Sequence, residues 1–289
     1  MPAYGGWWKR LQIKSIYMTT DFSHVFSLTH GTTPLLLSLP HCGQALPDWL
    51  IPRLTPLAQR VLDTDWYMPE LYAFATSLGA SVLQPNFSRY VVDLNRPPDN
   101  VPMYPGQNNT ELCPTRNFRG EALYINEQAP SNAEVQQRVA KYWQPYHQAL
   151  QAELDRIKSI HGYALLWDGH SILNTLPWLF DGTLPDLNIG TVNATSCDPT
   201  LRNALSGVLQ KETRFTSVID GRFKGGYITR HYGNPDLGVH AVQMEMCFSA
   251  YMPCNADYEQ NYHFDATYAA PVQATLCKLF ETMLAWKPV

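Results

Sequence analysis

Two histidines stand where chemistry is often done. His41 follows the apolar run Leu35-Leu36-Leu37-Ser38-Leu39 in "SLPHCG", and His170 follows "ALLWDG" in Asp168-Gly169-His170-Ser171. Imidazoles at the ends of two buried strands suit a shared Zn²⁺ or a similar divalent transition metal. Either alone reads equally well as a hydrogen-bonded core residue. A catalytic zinc takes a third ligand and keeps one position open. The short pattern H-x-x-E is broken here by Gln44, and the nearest acids are Asp63 and Asp65 in "DTDWYMPELY". One of that pair, or Thr64 between them, could instead cap the adjoining helix.

Other polar residues interrupt apolar segments. In "AVQMEMCF" a period of two puts Gln243, Glu245 and Cys247 on one face, and Val242, Met244, Met246 and Phe248 on the other. A carboxylate between methionines is costly unless paired or functional. Its desolvation raises the pKa toward the range of a general base. "SRYVVDLNRPPD" reads as a strand with Arg89, Val91, Asp93 and Asn95 on one face. An internal Arg89–Asp93 pair accounts for half of these charges. Asn95 and Arg96 could hold a substrate carboxylate, the arginine through its planar fork. "GRFKGGYITRHYG" interleaves glycines with Arg222, Lys224, Arg230 and His231 and lacks the phosphate-loop patterns. It is either a cationic flap or a glycine-punctuated hairpin. Cys42 beside His41 leaves a thiol nucleophile open as an alternative.

These residues need a framework, and the sequence indicates one. Strands are predicted at 34–40, 80–85, 89–95, 163–168 and 239–248. Helices are predicted around 66–78 with Gly79 at the close, from a capping box at Ser131 to Gly162 with a bend at Pro145, from Asp198-Pro199 to about Thr213, and at the C-terminus. Alternation of this kind implies an α/β fold with a mixed, mostly parallel sheet flanked by helices on both faces. Ligands of such sheets bind beyond the strands' carboxyl ends. The Pro-, Asn- and Gly-rich stretch 97–120 is a long loop of the functional or mobile kind.

The 289 residues are 45% hydrophobic and carry a net charge of −4, with 21 basic and 25 acidic side chains. That balance disfavours disorder and nucleic-acid binding. No apolar run spans a bilayer, and the N-terminus lacks a signal-peptide core. Six scattered cysteines without a CxxC pair read as reduced thiols of a cytoplasmic protein. Residues 1–18 fit poorly with the rest of the chain and read as an upstream extension, with a single domain over 19–289 beginning "TTDFSHVFSLTHG".

Taken together, "SLPHCG", "DTDW…LY", "SRYVVDLNRP", "DGHS", "GRFKGGYITRHYG" and "VQMEMCFSAYM" resemble the N-formylglutamate deformylases, or N-formylglutamate amidohydrolases, from about Thr19 onward. The resemblance implies a zinc-carboxypeptidase-like (phosphorylase/hydrolase-like) fold. It implies hydrolysis of N-formyl-L-glutamate to L-glutamate and formate, a last step of histidine degradation. On that basis His41 and His170 match the metal histidines, Glu245 the general base, and Asn95-Arg96 a carboxylate-gripping pair. The family-type H-x-x-E glutamate is absent, which leaves Asp65 as third ligand by elimination. Arg89 or Arg230 would stabilise the oxyanion, and Arg96 with Arg222, Arg230 or His231 would serve the two carboxylates of a small anionic substrate. The rival expectations are a same-fold hydrolase of another N-acyl amino acid or amide, and a metal-free binding protein for acidic amino acids.

Overall fold

The computed structural model describes residues 25–102, 106, 108–253 and 262–288. The proposed extension 1–18, with Trp7 and Trp8, and Cys254 lie outside the described residues.

Among the described residues, seven strands form one sheet: β1 (Phe26–Thr29), β2 (Leu35–Ser38), β3 (Ser81–Pro85), β4 (Ala164–Ile172), β5 (Leu187–Gly190), β6 (Ser217–Ile219) and β7 (Val239–Cys247). Their order is β1-β3-β2-β4-β7-β5-β6. β3, β2, β4 and β7 run parallel, β1 is antiparallel on β3, and β5 is antiparallel on β7 with β6 parallel to it. The sheet is therefore mixed and mostly parallel, as the alternation of elements predicted. Its central strands are fully buried, which is why their sequences read as nearly unbroken apolar runs.

Seven helices accompany it: α1 (Met68–Leu71), α2 (Phe74–Ser77), α3 (Asn132–Arg138), α4 (Gln144–His161), α5 (Pro199–Lys211), α6 (Tyr227–Tyr232) and α7 (Ala266–Ala285). One face of the sheet packs Leu165, Trp167, Val242, Met244 and Met246 with Leu201 and Leu205 of α5 and Leu276, Leu279 and Phe280 of α7. The other face packs Leu166 and Ala241 with Tyr146, Leu150, Leu154 and Ile157 of α4. Burying a side chain of this size stabilises by roughly 1.5–3 kcal/mol.

The helix signals hold with local corrections. Ser131 Oγ accepts from Glu134 N at 3.3 Å, but the Glu134 carboxylate turns to Arg53 and Arg138 instead of closing the capping box. The bend expected at Pro145 is taken up by a π turn, Val139–Trp143, between α3 and α4. Pro145 has no N–H to give the preceding turn, so a widened turn there costs less than a broken ladder. Asp198 caps α5 through Thr200 N at 2.7 Å, and Gly162 ends α4 at φ 83°. The predicted 66–78 helix divides into α1 and α2. Neither Asp63 nor Thr64 caps it, since Tyr67 holds that position without a side-chain bond.

Segment 89–95 is not a strand. Its backbone follows turns: Val91 N donates to Ser88 O, and Arg96 N to Asp93 O. Ser88 Oγ accepts from Tyr90 N at 3.2 Å and Asp93 Oδ1 from Asn95 N at 2.8 Å. Such local side-chain acceptors compete with a sheet ladder. The "GRFKGGYITRHYG" segment is likewise no hairpin. It is a loop leading into α6.

Candidate active site

On the face of the sheet toward α4, apolar packing gives way to polar groups along β4 and β7. Ala164 and Leu166 belong to the core, whereas Asp168 and His170 line up one pleat further on. In register beside them on β7 are Gln243, opposite Asp168, and Glu245, opposite His170. His170 therefore sits inside β4 and not just after it, because the strand runs on to Ile172. His41 comes from the turn after β2, as predicted. Asp65 is tied to it through the main chain, Asp65 N donating to His41 O at 3.0 Å.

Three donor atoms converge, all from buried side chains. His170 Nδ1 lies 3.1 Å from His41 Nδ1 and 3.3 Å from Asp65 Oδ2, and His41 Nδ1 lies 3.7 Å from Asp65 Oδ2. Ligand atoms of all three fall within 4.8 Å of one another, the spacing of a metal-binding group.

The outer atoms of both rings are also engaged. His41 Nε2–H donates to Asp93 Oδ1 at 2.7 Å, which leaves the Nδ1 lone pair toward the cluster, where Arg89 Nη1 donates to it at 3.1 Å. Asp168 Oδ1 is buried and lacks a hydrogen bond, yet lies 3.2 Å from His170 Nε2. A proton on Nε2 would find its acceptor there, freeing Nδ1 for an ion. Carboxylates behind both imidazoles are the usual outer partners of metal-bound histidine. Two imidazoles and a carboxylate suit zinc or a neighbouring transition metal.

Burial, then Arg89, lowers the His41 pKa against the opposing pull of Asp93 and Asp65, so the ring is neutral and able to ligate. Burial would also lower His170, but Asp168, Asp65 and Glu245 outweigh it and raise its pKa. Burial would raise Asp93, but Arg89, His41 and Arg96 hold it well below the ordinary carboxylate range. Glu245 is pushed up to about 8, chiefly by burial and further by Asp65 and Asp168, with His170 and Arg89 opposing. A carboxyl poised there exchanges protons near neutral pH.

These groups open into a cavity that Arg89, Arg96 and Arg222 also line, with Phe118, Phe180 and Phe223 as apolar wall. Arg89 pairs with Asp93 at 2.6 Å and stacks on Phe118 at 4.5 Å. Arg96 is held by Thr110 O at 3.1 Å and Thr110 Oγ1 at 3.3 Å, with no carboxylate at ion-pair distance among the described residues. Arg222 donates to Leu179 O at 2.8 Å. The loop 97–120 supplies Asn108, Asn109 and Phe118 to this wall.

The structure thus brings together His41, Asp65, His170, Glu245, Arg89, Asn95, Arg96 and Arg222. It does not bring in Arg230 or His231. Both are exposed on α6, with Arg230 donating back to Gly225 O and His231 stacked on Tyr227. A six-residue helix turns their side chains away from the cavity that its preceding loop lines. Asn95 faces the cavity, but its amide oxygen accepts from Ile228 N at 2.8 Å, so it is not open to a substrate carboxylate in the way expected. Cys42 is buried and its thiol is pushed far up by burial, which removes it as a nucleophile. Sequence reasoning missed Asp168 and Gln243 as partners within the site. Their same-face spacing with His170 and Glu245 carried the signal.

The sequence profile described as N-formylglutamate amidohydrolase matches residues 33–252. The chain is 46% identical over 262 residues to the N-formylglutamate deformylase of Pseudomonas putida, covering 91% of this chain and 96% of that one. It is 45% identical over 262 residues to the Pseudomonas aeruginosa N-formylglutamate deformylase, covering 91% and 97%. Among solved structures, the N-formylglutamate amidohydrolase from Ralstonia eutropha JMP134 superposes with a TM-score of 0.71 at 22% identity, over 90% of this chain and 98% of that one. A gene product of Agrobacterium tumefaciens gives 0.67 at 16% identity, over 90% and 96%. Both share the fold. With the profile spanning most of the chain and two relatives near one-half identity, this protein belongs to the N-formylglutamate amidohydrolase family.

Proposed function

We propose that this chain hydrolyses N-formyl-L-glutamate to L-glutamate and formate, with a divalent transition metal, zinc first, held by His41, Asp65 and His170. The observation that carries the reading is the convergence of those three donors beside Glu245 in an arginine-lined cavity. Relatives named N-formylglutamate deformylase support the substrate. The donor set fits such an ion, which when bound supplies Lewis acidity toward the formyl carbonyl and lowers the pKa of water.

The protein's own residues supply the remaining steps. Glu245 accepts a proton from the attacking water. The water oxygen bonds to the formyl carbon. The C–N bond breaks as Glu245 returns the proton to the amine, giving formate and free glutamate. Arg89, beside His41, stabilises negative charge developing on the carbonyl oxygen. Arg96 and Arg222 take the two substrate carboxylates, and the phenylalanine wall excludes water. The reaction takes place in the cytoplasm, where the buried thiols of Cys42, Cys113, Cys197 and Cys247 stay reduced.

The test is formate or acyl-product release from N-formyl-L-glutamate, N-acetyl-L-glutamate and N-formylglycine. The expected result is strong preference for the first. Equal or faster hydrolysis of the acetyl compound would favour a hydrolase of other N-acyl amino acids.

A further inference from the structure

Asn95 holds an unusual place. Its main-chain N donates to Asp93 Oδ1 at 2.8 Å, the same oxygen that receives His41 Nε2–H at 2.7 Å. Its side-chain Nδ2 lies 2.9 Å from His170 Nε2 and 3.4 Å from Asp168 Oδ2. Its Oδ1 accepts from Ile228 N at 2.8 Å, and its main-chain O from Tyr227 N at 3.4 Å, both at the start of α6. One buried residue therefore touches the outer partners of both metal-site imidazoles and anchors the helix that comes after the Arg222 loop.

The loop is shaped to this contact. A Cβ at Gly226 would lie 2.2 Å from Asn95 Nδ2 and 2.6 Å from Oδ1, so the chain can pass there only as glycine unless the amide moves. The amide cannot move without giving up its bonds to Ile228 and its contacts with His170 and Asp168. Gly226 N is fixed on the other side by Gln243 Oε1 at 2.6 Å. The approach of loop to amide is thus built in from both strands and coil.

We propose that Asn95, seated against Gly226, is a positioning residue that sets the orientation of the His170 ring and the placement of the 221–226 loop together, and is not a clamp for the substrate carboxylate. The inference rests on the metal-centre reading of His41, Asp65 and His170. It makes metal geometry and the position of Arg222 interdependent, since one amide contacts both.

The experiment uses Co²⁺ as the probe, in the full chain with wild type, Asn95→Ala and Gly226→Ala side by side. Visible absorption reports the ligand field, and chelator competition reports affinity. For both variants the expected result is an altered Co²⁺ spectrum, about 10- to 100-fold weaker Co²⁺ binding, as for loss of an outer partner, and a raised KM for N-formyl-L-glutamate. Gly226→Ala removes no polar group, so it keeps the test informative if Asn95→Ala fails to fold. A wild-type spectrum and affinity with only KM raised would overturn the inference and return Asn95 to the carboxylate. Wild type showing no Co²⁺ ligand-field bands would instead remove the metal-centre reading itself, and the inference with it.

Discussion

The site is built from two kinds of backbone. On β4 and β7, Asp168, His170, Gln243 and Glu245 are placed by a nine-residue parallel register from Ala164↔Val239 to Ile172↔Cys247. Main-chain bonds hold that ladder whatever the side chains are. In the segment 88–96, Arg89, Asp93 and Asn95 are placed by the side chains themselves. Asp93 accepts from Asn95 N, pairs with Arg89 and receives His41. The lesson is that a polar residue on the ladder can be changed for its chemistry alone, whereas one in the coil carries chemistry and local structure at once.

The sharpest separation should come from Glu245→Gln. Loss of the proton acceptor should lower turnover by about 10²- to 10⁴-fold, while the melting temperature and metal content stay at wild-type values. Steady-state kinetics with calorimetry checks both. Full activity would remove Glu245 as the base.

Asp93→Asn tests the coil. It leaves Arg89 buried without its partner and weakens the acceptor of His41, so unfolding in urea should show a loss of about 3–5 kcal/mol, together with weaker metal binding. A change in activity without a change in stability would break the comparison. Arg96→Ala is milder. Removing one charge-assisted contact of about 1.5–3 kcal/mol should raise KM by roughly tenfold to a hundredfold, with kcat nearly kept.

The smallest effect concerns pH. Glu245 lies at about 8 in the folded chain against an ordinary 4.5, so the folded state binds its proton more tightly. Its contribution to the metal-free protein is fully present below the ordinary value and is lost as pH rises to about 8. The urea midpoint of metal-free wild type, relative to Glu245→Gln, should therefore fall between pH 5 and 8. A difference that stays flat would mean that Glu245 keeps an ordinary carboxylate.

The same contrast explains what can be read from residues alone. β2, β4 and β7 are legible because continuous apolar runs mark strands buried on both faces, and the alternation in "AVQMEMCF" puts Glu245 on the correct face. Ser131, Gly162 and Asp198-Pro199 mark helix ends because caps are local. β1, β5 and β6 are not legible. "FSLT", "LNIG" and "SVI" are three or four residues long, and their neighbours impose the ladder. "RYVVDLN" misleads because its β-branched residues suit a strand, while Ser88 and Asp93 divert the backbone into turns. In the site, His41, Asp65, His170 and Glu245 stand out by type and placement and are found together. Arg230 and His231 stand out by charge alone, and charge does not fix which way a short helix turns its side chains. Asn95 reads in the sequence as a carboxylate contact, and its partners are long-range bonds to α6 that no spacing reveals.

The most direct test of the account is formate release from N-formyl-L-glutamate by protein treated with a strong chelator and then given Zn²⁺, with His170→Ala carried alongside. The account predicts activity that disappears on stripping, returns with zinc in the wild type, and does not return in the variant. Activity unchanged after complete metal removal, verified by elemental analysis, would contradict it.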